Sequence, residues 1–396
     1  MEKQVASLWT KNFILFNGSN LFLNLAVQFL LPVLPVYAIS VIGATEAQVG
    51  YLLGLYSFAA LAARPLAGYI YDSFGRKKTF FVTLIFFSVL SLLYNFITTF
   101  ILLCILRVVH GIVFSFTTTG SGAIVGDIVP MERRGEGIGY FGMTNTLAMA
   151  LGPAIALWIM GYNNYFMLFM VSALLTALAL LVANFVKFPH IELSKKPFSL
   201  GTMFEKKVFS VAFVVLMFGV VNGGILSFVV LYSQGIGIVN GGIFFMFNSA
   251  GVIIVRLITG KVMDRYGPKP MGIFGFIIQG ISFALLSLAN GIVLFCISAA
   301  LFGLANGTLM PTLQTMVINM VEPNKRGVAN ATFFAAMDIG VGGGSIILGW
   351  LLAFSSYKLM FMVCAIYMLI PLIYFLSYVV KDYERGFRSL DTELNT

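Results

Sequence analysis

The chain has 396 residues, of which 59% are hydrophobic and only 10% charged, and its mean hydropathy is +0.97. That much apolar surface exceeds what a water-soluble core encloses, which leaves a polytopic membrane protein. The net charge of +9 does not point to nucleic acid, because the basic residues gather in short loops beside apolar runs, where they fix orientation in a bilayer.

The N-terminal MEKQVASLWTKNF leads into a run too long for a signal peptide, with no small-residue cleavage site. Continuous runs of about 20 apolar residues predict membrane helices rather than the alternating strands of a barrel. In the first half they cover about 12–38, 47–71, 79–97, 101–126, 137–160 and 165–187. In the second they cover about 208–233, 240–263, 271–290, 292–318, 328–353 and 357–380. The loops alternate in charge. One side collects Lys3, Lys11, Arg76, Lys77, Lys78, Arg133 and Arg134, and later Lys195, Lys206, Arg265, Lys325 and Arg385; the other has only Lys358. The asymmetry predicts that both termini are cytoplasmic. The expected fold is therefore an all-α membrane protein of 12 helices. It divides into a six-helix bundle (1–187), a cytoplasmic linker (188–207), a second six-helix bundle (208–380) and a cytoplasmic tail (381–396).

A shift of 192 residues lays one half on the other. Arg64 falls on Arg256, Gly68 on Gly260, Asp72 on Asp264, Gly75 on Gly267, Gly111 on Gly303, Arg134 on Arg326 and Gly152 on Gly344. Parallel repeats of this kind build pseudo-twofold transporters whose substrate site is expected near the bilayer midplane where the halves meet.

Polar residues inside the spans are the candidate chemistry. In the first span Asn17, Asn20, Asn24 and Gln28 share one helix stripe. Asn145, Asn222 and Asn248 add single amides. Asn306, Met310 and Gln314 form a stripe in the tenth span, and Asn330, Phe334 and Asp338 another in the eleventh. Lipid does not solvate amides, so the stripes either line a cavity or join helices. Neutral amides among Phe and Met suit an amphipathic organic substrate. Arg107 lies deep in the fourth span, where an isolated charge costs about 2.5–3.5 kcal/mol on the mildest scale, so it needs a partner. His110, one turn on, is either a satisfied polar residue or a proton carrier. Asp338 is the acid placed deepest in a span, with Glu136 at the mouth of the fifth as a weaker candidate. Burial favours the protonated form of a carboxylate, which suits proton uptake, but Asp338 could equally pair with a cationic substrate or bond a neighbouring helix. Pro32, Pro35, Pro153 and Pro311 either mark bending points or shape static helices.

Gly68-x-x-x-Asp72-x-x-Gly75-Arg76-Lys77-Lys78 resembles the loop signature between the second and third helices of the major facilitator superfamily. The second half keeps a degraded copy with Pro268 in place of Arg76. Arg107-x-x-His110-Gly111 is similar to the fourth-helix motif of the proton-coupled members, and Pro130-Met131-Glu132-Arg133-Arg134-Gly135 to the loop after it. Gly139, Gly152 and Pro153 resemble the fifth-helix motif of the drug:proton antiporters, although Ala148, Ala156 and Leu157 replace its other glycines. The resemblance covers the whole chain. It implies a proton-coupled exporter of drugs or small metabolites, a monomer in the bacterial plasma membrane, with Asp338, Arg107 and His110 in coupling. Gly68, Asp72, Gly75, Arg76 and Arg134 would form a cytoplasmic latch, or serve topology alone. In that latch the two glycines would allow helices to approach closely.

The chain has no phosphate-binding GxxxxGK[ST] loop, no HExxH and no GxSxG, and no cofactor or metal is expected. Its partners are then a small-molecule substrate, protons and the lipid bilayer. Proton-linked uptake of a nutrient is the alternative direction. A membrane sensor or enzyme would need a soluble domain or catalytic cluster that the short linker and tail do not supply.

Overall fold

The structure, a computed structural model, describes residues 7–130, 133–160, 164–188, 204–322 and 326–385. Most of the expected linker (189–203, with His190) and tail (386–396) lies outside these residues, as do the side chains of Arg134, Glu136, Asp264 and Arg326.

Every regular element among the described residues is helical. In the first half these are α1 (Lys11–Ser40), α2 (Glu46–Phe74), α3 (Arg76–Leu93), α4 (Phe100–Ile128), α5 (Arg134–Met160) and α6 (Tyr165–Asn184). In the second they are α7 (Phe209–Gly235), α8 (Ile243–Tyr266), α9 (Pro268–Leu288), α10 (Ile292–Asn319), α11 (Arg326–Ala353), α12 (Tyr357–Tyr367) and α13 (Leu369–Tyr374). Side chains begin several of them: Thr10, Thr99, Asn164 and Ser356 each accept the amide three residues on, satisfying an end that lipid would not. Pro32, Pro35, Pro153 and Pro311 sit inside helices that continue through them.

Eleven helical stretches among the described residues are long and apolar enough to cross a membrane. Of α8 the stretch Ile243–Arg256 is apolar, and beyond it the side chains of Leu257, Ile258, Lys261 and Asp264 lie outside the described residues. The last span is not one regular helix. Pro371 lacks the N–H that would bond the carbonyl of Tyr367, and the helix breaks at Met368, resumes as α13 and passes through a π turn at Phe375–Val379.

The chain forms two compact units, one of residues 1–42 and 58–198, the other of 43–57 and 199–396. The start of α2 thus groups with the second unit. In the first unit α1 packs mainly on α5 and α6, and α3 on α6 and α4. Phe13, Phe16, Tyr71, Phe80, Leu84 and Ile124 form its buried centre. In the second, α7 packs on α11, α8 on α10, and α9 on α10 and α12. Backbone-to-backbone approach fixes the α7–α11 pair: a Cβ on Gly340 or Gly344 would strike the carbonyls of Leu216 and Val220.

The repeat is visible in side chains as well as in element order. Tyr37 reaches the carbonyl of Ile97 at 3.0 Å and stands edge-on to Tyr165 and Phe169. Tyr232 reaches that of Ala289 at 2.7 Å beside Tyr357 and Phe361. In each unit a phenol caps the end of the third helix. Gly75 and Gly267 start α3 and α9 at φ of 91° and 74° with extended ψ, a region essentially open only to glycine that costs an L-residue about 1–3 kcal/mol. Gly75→Ala is therefore expected to lower stability by that amount in detergent-solubilised protein, read by thermal unfolding, with a similar loss for Gly267→Ala.

Candidate functional site

The charged turn is built in the first unit. Gly75 turns the chain sharply from α2 into α3, so that Arg76, the first residue of α3, faces back to Asp72 in the last turn of α2. Arg76 Nη1 donates to Asp72 Oδ1 at 2.6 Å, and its Nε donates to Asp127 Oδ2 at 3.1 Å. A guanidinium with its side chain only 17% exposed thus spans two carboxylates. Asp127, in the last turn of α4, was not singled out by its sequence, where it reads as one more acid at a span end. Among the described residues a Cβ on Gly68 or on Gly139 meets nothing within 4 Å. Gly152 serves a close approach, since its Cβ would lie 2.9 Å from Gln28 on α1. Pro153 follows within α5.

Arg107 and His110 are both buried on α4, at 3% and 1% exposure. The structure brings them together at Tyr94, at the end of α3. The Tyr94 hydroxyl is 3.0 Å from His110 Nδ1 and also interacts with Arg107, and the Phe87 ring packs edge-on to the imidazole at 4.2 Å. Tyr94 carries no sequence signal of its own. Asp338 belongs to the second unit, half-buried on α11 between Met337 and Gly340, two α11 residues packed against Gly219 of α7.

The amide stripe of α1 divides in use. Asn20 donates to Thr144 of α5 at 2.6 Å and Gln28 faces Asn145 of α5 at 3.4 Å, so these two join helices. Asn17 and Asn24 instead donate to the carbonyls of Phe13 and Asn20, one turn back in α1. In the second unit Asn222 and Asn306 make the same bond to Phe218 and Phe302. Gln314 donates to Asn330 at 2.9 Å, linking α10 to α11. Met310 and Phe334 are half-buried, and Asn248 is buried. An apolar groove of about 520 Å³ between α8 and α10, lined by Phe247, Cys296 and Leu301 among others, includes none of these residues.

A further cluster was not anticipated. At the start of α2, Glu46 accepts a hydrogen bond from the Tyr357 hydroxyl at 2.5 Å. Trp350 Nε1 donates to the Tyr51 hydroxyl at 2.7 Å, and a Cβ on Gly50 or Gly54 would collide with Ser345 or Ile346 of α11. This cluster explains why residues 43–57 group with the second unit. Removing the hydroxyl in Tyr357→Phe is expected to destabilise the protein by about 1–3 kcal/mol, because a half-buried carboxylate loses its donor. A melting-temperature comparison with the parent checks it.

A family model described as Major Facilitator Superfamily matches residues 17–289 and 241–393. The staphylopine export protein of Staphylococcus aureus is 25% identical over 364 residues, covering 88% of this chain and 91% of that protein. The class G tetracycline resistance protein of Vibrio anguillarum is 26% identical over 347 residues, covering 81% and 85%. Among solved structures, the nucleoside transporter NupG superposes with a TM-score of 0.74 at 15% identity, covering 93% of this chain and 99% of that one, a likeness of fold.

Proposed function

This chain belongs to the Major Facilitator Superfamily, and we propose that it is a proton-coupled exporter of drugs or small amphipathic metabolites, working by alternating access. As a member of that family it is a multi-pass membrane transporter of small molecules and not an enzyme. Export rests on one observation: two relatives matched over at least four-fifths of this chain are, by name, an export protein and a tetracycline resistance protein. The proposal includes α8 as the twelfth span, both termini in the cytoplasm, a bundle on each side of the 188–207 linker, and a monomer in a bacterial plasma membrane.

Within this reading Asp338 takes up and releases the proton, and Arg107 and His110 tune the first unit's response through Tyr94. Protonation then has to supply only the few kcal/mol that separate two conformations. Asp72, Arg76 and Asp127 form the latch, with Arg134 as its expected further member, and the half-exposed amides meet the substrate. What supports the latch is the two-sided engagement of Arg76, a geometry that plain topology does not require.

A compound panel in cells lacking the gene tests direction. Restoring the gene should lower accumulation of at least one toxic amphipathic compound and raise its tolerated concentration. Raised accumulation would mean uptake.

A further inference from the structure

We propose that the groove between α8 and α10 is a binding site for one acyl chain of an anionic phospholipid, whose phosphate lies at Lys358. Every residue involved belongs to the second unit. The direction of transport plays no part in the inference.

The groove follows from how the two helices meet. α8 and α10 approach backbone to backbone at glycines: a Cβ on Gly303 would strike the carbonyl of Asn248, and one on Gly251 that of Ala300. Toward the loop between α7 and α8 the glycines give way to Ile243 and Phe247, whose bulk does not permit that approach. These two side chains and the first three turns of α10 line the groove of about 520 Å³. Its wall is aliphatic and aromatic carbon with one thiol, Cys296. From Ile292 to Leu301 it follows about 14 Å of helix. One leaflet of a bilayer holds about 15 Å of hydrocarbon. The groove therefore starts at the end of α10 and runs as deep as a single leaflet.

A polar mouth adjoins it. Ile243 and Ile292 also line a second hollow of about 560 Å³, formed with residues 236–240 and Gly291. Among the described residues Asn240, which is exposed, spends its side-chain oxygen on the Gly242 amide, leaving two N–H donors for an ester or phosphate oxygen. Lys358 stands beside this mouth. It is the basic residue that the loop charge pattern places opposite all the others. Its ammonium donates to Asn290 Oδ1 at 2.5 Å, next in the chain to Gly291 and Ile292. Asn290 is neutral, so this bond orients the ammonium without cancelling its charge, and two N–H donors remain. The carboxylate of Glu46 accepts from the adjacent Tyr357.

A phospholipid presents the same order of surfaces: apolar tail, ester region, negative phosphate. A second copy of the chain fits less well. A helix 10 Å across would occupy about 1,100 Å³ over the same length, twice the volume of the groove.

The test places the purified full-length chain in phosphatidylcholine nanodiscs containing a small fraction of photoreactive phospholipid, with a diazirine in one acyl chain. The probe carries either a phosphatidylglycerol or a phosphatidylcholine headgroup, and cross-linked peptides are mapped by mass spectrometry. The phosphatidylglycerol probe should label residues 243–247 and 292–301 about fivefold more than the phosphatidylcholine probe, the effect of one lysine at a membrane surface. Lys358→Gln keeps a hydrogen-bond partner for Asn290 but not the charge, and should bring the two probes within about twofold of one another. Ala300→Phe, which puts a ring into the deep end, should lower labelling of these segments by both probes and leave labelling elsewhere unchanged. Equal labelling by the two probes in the parent overturns the proposal, as does labelling of these segments no higher than of other spans. A preference that survives Lys358→Gln overturns it too. Labelling present with one copy per disc and lost with two would make a second copy the occupant, and would equally overturn it.

Discussion

Replacing Arg76 with alanine should reduce transport at least tenfold while leaving a folded, detergent-soluble protein. Arg76 holds two carboxylates, Asp72 at 2.6 Å and Asp127 at 3.1 Å. Half-exposed Asp72 can turn to solvent, whereas Asp127, at 25% side-chain exposure, has less freedom to do so. Breaking the arrangement costs roughly 1–3 kcal/mol, between the values for surface and fully buried pairs. That is enough to shift a balance between two conformations by about one to two orders of magnitude. Asp127→Asn should therefore impair flux at least as much as Asp72→Asn, and Arg76→Lys should recover only part of it, because an ammonium on a flexible stem does not reproduce the fork. In the second copy Pro268 stands in place of Arg76, and α9 starts without a guanidinium. Neutralising Asp264 and Lys269 should then matter less. Wild-type flux in Asp127→Asn proteoliposomes would remove the three-residue latch from the account.

Asp338→Asn is expected to lose at least nine-tenths of gradient-driven transport with its melting temperature nearly unchanged. The amide keeps the shape of the carboxylate but exchanges no proton, and the α7–α11 approach at Gly219 and Gly340 is made by backbone. A coupling acid should lose the pH dependence of flux, whereas an acid that merely joins helices should lose stability instead. Flux of Asp338→Asn that keeps the parent's pH profile would exclude Asp338 from coupling.

The helical spans were legible because lipid leaves the backbone no alternative to internal hydrogen bonding. The duplication was legible too, because charged and glycine positions recur at one offset. Gly75 and Gly267 then proved to share a positive-φ backbone as well as a register. Partners in space were not legible. Asp127 lies 51 residues from Arg76, and nothing in its neighbourhood distinguishes it from other acids at span ends. Tyr94 lies 16 residues from His110 in an apolar stretch where a tyrosine is unremarked. The phenol clasp escaped for another reason: Tyr165 and Phe169 recur as Tyr357 and Phe361 at the common offset, whereas Tyr37 and Tyr232 are displaced from it by three residues. At Gly68, which sits in a glycine-spaced motif, no described residue lies within 4 Å of an added Cβ. The break before α13 could have been anticipated from Pro371, which sits in the middle of the last apolar run.

The central claim is that proton movement drives substrate the opposite way. Its most direct test places the purified full-length chain in liposomes with a substrate identified by the cell panel, under an imposed pH difference and with correction for protein-free vesicles. Antiport predicts net accumulation of substrate in the acidic compartment, abolished when the gradient is collapsed. Accumulation in the alkaline compartment, or flux indifferent to the gradient, would contradict it.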